Sequence, residues 1–173
     1  MEISSFQEIV RSYRAVFFDS YGVLRNYLGL IPGAVDCIQR LRDAEVPFRV
    51  LTNNAARSPE RASKRLAHYG LEGVRPSEII TSGSTTQRFL ELKVRQGKVA
   101  YLGTAAAAEY IMVAGLEPIP VSEVDMNQLD EIKAVAFLDD EGYDLNSDLN
   151  KLINLLRRRR VPVVVANTDL LYP

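Results

Sequence analysis

A single cysteine, Cys37, in 173 residues leaves nothing from which to build an internal disulfide framework, which fits a reducing compartment. Its place in a helical pattern makes it a small core residue. No apolar stretch approaches the roughly 20 residues needed to span a bilayer, and the N-terminus lacks the basic-then-apolar order of a secretory signal. The cytoplasm is therefore the expected location, with no membrane partner. An excess of one charge is missing too: 21 Lys and Arg stand against 22 Asp and Glu, so nothing electrostatic argues for nucleic acid or an anionic surface. The one histidine, His68, falls near a helix end just before Gly70, where a cation suits the dipole. Low-complexity linkers and short repeats are absent. What remains is the composition of an ordinary globular protein, one domain or a small domain plus part of another.

Apolar periodicity supplies the elements. Residues 4–13 carry Phe6, Ile9, Val10 and Tyr13 at helical spacing behind serine caps. Ala15-Val16-Phe17-Phe18 runs into Asp19, and Gly22 lets the chain turn away. Such a run reads as a strand buried on both faces. Pro32-Gly33 opens a helix with Val35, Ile38, Leu41 and Ala44 inward. A second strand, Pro47 to Leu51, leads into Thr52-Asn53-Asn54, and a helix from Ser58-Pro59 ends at Gly70. Further strands are expected at 79–82, 99–102, 134–138 and 161–166. Helices are expected at 84–95, 104–113 and 147–160, the last with Leu149, Leu152, Ile153 and Leu156 on one face, and residues 116–131 read as an irregular connection. Strand–helix alternation implies an α/β fold with parallel pairing.

Chemistry concentrates at strand ends. In open α/β sheets ligands sit beyond the carboxyl ends of strands, where Asp19 falls. An Asp there either caps the next turn or has a task, such as holding a metal or attacking a substrate. About one βαβ unit later, Thr52 offers a hydroxyl and Asn53 an amide, followed by backbone N–H groups in a turn. That combination suits phosphoryl transfer, which needs neutral donors for phosphate oxygens and an attacker in line with the leaving group. Asp139 and Asp140 read as a solvated turn. Asn167 and Asp169 either line a site or cap a turn.

These segments are recognisable. Phe17-Phe18-Asp19-Ser20-Tyr21-Gly22-Val23-Leu24 resembles the first motif of the haloacid-dehalogenase (HAD) superfamily, and Leu51-Thr52-Asn53-Asn54 resembles its second. Pro32-Gly33-Ala34, Arg57-Ser58, Thr81-Ser82, and Ala166-Asn167-Thr168-Asp169 with Tyr172-Pro173 look like the branch with a large α/β cap. That branch includes p-nitrophenyl- and N-acetylglucosamine-phosphatase-like proteins. The resemblance implies a Rossmann-like parallel sheet core with an inserted α/β cap domain, both incomplete here. Residues 1–85 would form the N-terminal half of the core and 86–173 part of the cap. It implies Asp19 as the nucleophile and as a ligand of Mg²⁺, with Tyr21 adding its backbone carbonyl. Thr52 would bind the phosphate, helped by Asn53, Asn54 and the amides around them. The implied partner is a small phosphorylated metabolite, and large-cap relatives often pair as homo-oligomers.

Two departures qualify the resemblance. Tyr21 stands where the family's phosphatases carry a second Asp that protonates the leaving oxygen and activates water. A phenol is a poor base near neutral pH, and losing a positioned acid–base costs about 10²–10⁴-fold. The family's later motifs, a Lys and an acidic pair, are also not found in this stretch, and Lys151 and Asp139-Asp140 are misplaced for them. The gap is expected to be filled by a partner copy or by residues beyond this sequence. Two readings follow: a Mg²⁺-dependent phosphatase working through an aspartyl-phosphate, weakened at Tyr21 and with little or no turnover expected of this stretch alone, or a catalytically silent protein that binds a phosphorylated ligand or a partner.

Overall fold

A computed structural model describes residues 6–10 and 12–167. They form two compact units: the chain up to Thr52 together with Pro59–Ile80, and Asn53–Ser58 together with the chain from Thr81 onward. The expectations for Ser4, Ser5, Thr168, Asp169, Tyr172 and Pro173 lie outside the described residues.

The first unit contains α1 (Phe6–Val10), β1 (Val16–Asp19), a short hairpin of β2 (Arg25–Asn26) and β3 (Gly29–Leu30), α2 (Ala34–Asp43), β4 (Phe48–Thr52) and α3 (Pro59–His68). Its three-stranded sheet has the order β1-β4-β5, with β5 spanning Ile79–Thr81, and β1 runs parallel to β4. Phe18 and Val50 lie in register and bury one face, and Phe18 meets Phe48 edge-on with ring centroids 6.2 Å apart. The other face is not covered: Phe17 is 61% exposed, and Leu51 and Ile80 are each 39% exposed. The expectation that β1 is buried on both faces is thus corrected, because among the described residues only one apolar layer packs against this sheet. On α2, Ala34, Ile38 and Leu41 are buried at helical spacing while Val35 is exposed. On α1 Val10 is buried while Phe6 and Ile9 are exposed, and Tyr13 lies in the solvent beyond the helix. Past α3, Gly70 takes φ 97°, and the amides of Gly70 and Leu71 close onto the carbonyls of Ala67 and Leu66, each at 2.9 Å, as a left-handed helix stop does.

One polar cluster braces this unit. The carboxylate of Glu78, buried, accepts from both terminal nitrogens of Arg42 and from the side chain and backbone N–H of Arg75. The Arg42 guanidinium also lies 4.7 Å over the Phe48 ring and donates to the Gly73 carbonyl at 2.7 Å. Burial opposes ionisation of Glu78, but these hydrogen bonds and the Arg42 charge win, holding its pKa at about 2.

The second unit carries α4 (Ser82–Lys93), β6 (Lys98–Leu102), α5 (Glu109–Val113), β7 (Glu117–Pro120), β8 (Ile132–Phe137), α6 (Ser147–Arg158) and β9 (Val163–Val165). Its sheet, ordered β7-β6-β8-β9, is parallel throughout. Here both faces are filled. Val99, Tyr101, Ala134 and Ala136 pack with Leu90 and Ile111, while Ala100, Leu102 and Val135 pack with Leu152 and Leu155. The stretch expected to be irregular contains β7. The stretch is mixed and acidic, yet β7 forms within it as an edge strand, where the ladder donors missing at Pro118 and Pro120 are tolerated. On α6 the buried positions are Asp148, Leu152 and Leu155, whereas Ile153, expected inward, is exposed.

Candidate active site

Asp19 ends β1 and is exposed; its Oδ1 accepts the Ser20 amide at 2.6 Å. The chain then folds tightly. The Leu24 and Arg25 amides both donate to the Ser20 carbonyl at 3.1 Å, and the Gly22 amide donates to the Arg25 carbonyl at 2.7 Å. Gly22 takes φ 84°, which a side-chain-bearing residue rarely adopts, and buried Leu24 pins the turn to the core. The half-buried Tyr21 bridges to Arg25, whose guanidinium lies 5.3 Å from the centre of its ring. The turn feeds the β2–β3 hairpin.

On the neighbouring strand β4, Leu51 is the residue opposite Asp19, and Thr52 is one step further along. Parallel pairing therefore sets the carboxylate and the hydroxyl at the same end of adjacent strands, which run about 4.8 Å apart. Asn53 and Asn54 continue the chain into the segment Asn53–Ser58, which packs with the second unit. There the Asn53 carbonyl accepts from Ser82 Oγ at 2.7 Å, and the Arg57 carbonyl accepts from Tyr110 Oη at 2.6 Å. Sequence reading named Ser82 only within the Thr81-Ser82 resemblance, without this contact, and did not single out Tyr110. The signal for the first was the spacing of Thr81 and Ser84, a capping box that starts α4 at Ser82 rather than at Ser84. No signal exists for the second, because it needs the tertiary contact.

At the C-terminal ends of β6 and β8, Asp140 is exposed as a solvated turn requires, but Asp139 is half-buried with Thr104 Oγ1 3.5 Å away. Burial, then Asp140 and Glu141, raises its carboxyl above the ordinary range. Among the described residues no group of three or more His, Cys, Asp or Glu could hold a metal by itself. No helix among them is long and apolar enough to cross a membrane.

Comparison with known proteins agrees with the sequence resemblance. Residues 16–117 match the family model of haloacid dehalogenase-like hydrolases. Over 97 residues the chain is 37% identical to a dihydroxyacetone phosphatase of Corynebacterium glutamicum, covering 56% of this chain and 35% of that protein. The fold superposes on a possible sugar phosphatase of the HAD superfamily from Cytophaga hutchinsonii with a TM-score of 0.90 and 42% identity, covering 100% of this chain and 61% of that one. It also superposes on a glycerol phosphate phosphatase of Mycobacterium tuberculosis in complex with calcium, with a TM-score of 0.77 and 25% identity, covering 95% and 46%. The chain thus spans only part of the length of each of these relatives. The family match takes in more than half of the sequence, including the two strand ends that carry Asp19 and Thr52, and the chain belongs to the haloacid dehalogenase-like hydrolases.

Proposed function

We propose that this protein is a phosphatase of small phosphorylated metabolites, with Asp19 as its nucleophile and Thr52 as a phosphate-binding hydroxyl. One observation carries the reading: the exposed Asp19 carboxylate and Thr52 end adjacent parallel strands one register step apart. The named phosphatases among the relatives support it. In this reading residues 1–85 are the N-terminal half of a HAD core and residues 86–173 are part of its cap.

The Asp19 carboxylate attacks phosphorus as the bond to the leaving alcohol breaks, giving an aspartyl-phosphate that water then hydrolyses to inorganic phosphate. Thr52, with Asn53 and Asn54 next in the chain, supplies neutral donors to the phosphate oxygens. The donor set fits a hard cation: Asp19 offers a carboxylate and Tyr21 a carbonyl, and magnesium takes one or two protein oxygens, completing its shell with water and phosphate. Calcium in the mycobacterial relative supports a divalent ion. When bound, such an ion would offset phosphate charge. Tyr21 leaves the leaving oxygen without a carboxylic acid, so turnover of ordinary monoesters is slow.

Phosphate release from a panel of small phosphate esters, with and without Mg²⁺, tests this. In a protein that also supplies the later Lys and acidic motifs, Asp19→Asn is expected to abolish release, and Tyr21→Asp to raise it by about 10²–10⁴-fold. Release that survives Asp19→Asn would sink the reading. Phosphate binding with no release by either the wild type or the Tyr21→Asp variant would leave the silent binder in its place, an outcome that Tyr21 itself favours.

A further inference from the structure

The segment Asn53–Ser58 is held more firmly than a connecting loop needs to be. Tyr110, buried on α5, has its Oη 2.6 Å from the Arg57 carbonyl and 2.8 Å from Thr81 Oγ1. A carbonyl only accepts, so the phenol donates to Arg57 and Thr81 donates to the phenol. Thr81 Oγ1 in turn accepts the Ser84 amide at 2.9 Å as the N-cap of α4. The result is a directed chain of hydrogen bonds from the start of α4 to the segment, each bond polarising the next.

The seat of the ring is equally specific. Gly83 lies in the first turn of α4, where glycine is unfavourable relative to alanine and no positive φ calls for it. A Cβ there would stand 2.0 Å from Tyr110 Cε2. Glycine at this position leaves room for the ring. Close by, Ser82 Oγ donates to the Asn53 carbonyl at 2.7 Å. Two carbonyls four residues apart are therefore clamped, with buried Ala55 between them. Packing alone needs only the ring; the hydroxyl serves the Arg57 carbonyl.

The geometry points to Tyr110 as a positioning residue for phosphate binding: its hydroxyl, working with Ser82, fixes the Asn53–Arg57 backbone so that the amides of Asn53 and Asn54 are oriented before a phosphate arrives. This rests on the reading of Asn53 and Asn54 as phosphate donors. Donors set in advance bind without paying to be ordered at the moment of contact.

The test is Tyr110→Phe, which keeps the ring against Gly83 and removes only the hydroxyl, with Ser82→Ala as a second variant at the other clamp. Inorganic phosphate is the probe, and amide hydrogen exchange reports on the backbone. Each variant is expected to raise the Kd for phosphate roughly three- to tenfold and to speed exchange within residues 53–57 while α4 and α5 keep their wild-type rates. A purely structural role would instead loosen α4 and α5 and leave phosphate affinity unchanged, and that pattern overturns the inference. Wild-type protein that binds phosphate alongside variants that bind it equally well overturns the role of Tyr110 alone. Wild-type protein that does not bind phosphate overturns the reading of Asn53 and Asn54, and the inference with it.

Discussion

The two sheets of this chain start from similar sequence and end in different surroundings. Val16-Phe17-Phe18 in β1 and Val99-Ala100-Tyr101-Leu102 in β6 are both unbroken apolar runs. In β6 every residue of that run is buried, because helices pack on both sides of its sheet. In β1 burial alternates, and Phe17 stands in solvent with Leu51 and Ile80 on the same open face. An apolar run therefore announces a strand; the number of layers that cover it is settled elsewhere in the chain.

The sharpest way to break this comparison is to truncate successive residues in each strand. Phe18→Ala should cost about 3–5 kcal/mol in chemical denaturation, whereas Phe17→Ala should stay within about 0.5 kcal/mol. In β6, by contrast, Tyr101→Ala and Leu102→Ala should both destabilise, with Leu102→Ala costing about 2–5 kcal/mol. Equal costs at Phe17 and Phe18 would mean that the open face is covered in solution.

Acid should separate the units next, with opposite signs. Glu78 in the first unit has its pKa held near 2, against an ordinary 4.5. Its contribution of about 3 kcal/mol is complete above the unfolded pKa and lost as pH falls toward 2. Glu78→Gln should flatten this acid limb. Asp139 in the second unit is raised instead, first by burial and then by its acidic neighbours. Its favourable contribution is present below the unfolded pKa near 3.8 and is lost as pH rises through the folded value. The smallest expected effect follows: Asp139→Asn should raise Tm slightly at neutral pH and lose that gain below pH 3.8. A fall in Tm at neutral pH would show that the ionised carboxylate has a partner that matters more than its burial.

Much of this was legible in the sequence because it depends on local chemistry. Gly70 and Gly22 marked a helix stop and a tight turn through the positive φ that each adopts. Asp19 and Thr52 could be assigned to strand ends because apolar runs stop at them. Less legible were features whose cause is distant in the chain. The mixed, acidic composition of residues 116–131 hid β7, since sequence alone does not say which short segment will pair at a sheet edge. Ile153 and Leu155 exchanged roles on α6 because helical spacing allowed more than one inward stripe. The Asn53–Ser58 segment followed a readable motif, but its clamps come from Ser82 and Tyr110, 29 and 53 residues further on.

By itself the order of residues determined the α/β class, the carboxylate and hydroxyl at two strand ends, and the family, because periodicity and turn chemistry act over a few residues. Only the tertiary structure decided which faces are covered, how Glu78 finds two arginines, and what holds the backbone after Thr52. Those outcomes are contacts between residues far apart in sequence, and a one-dimensional pattern carries no record of which distant side chain will arrive.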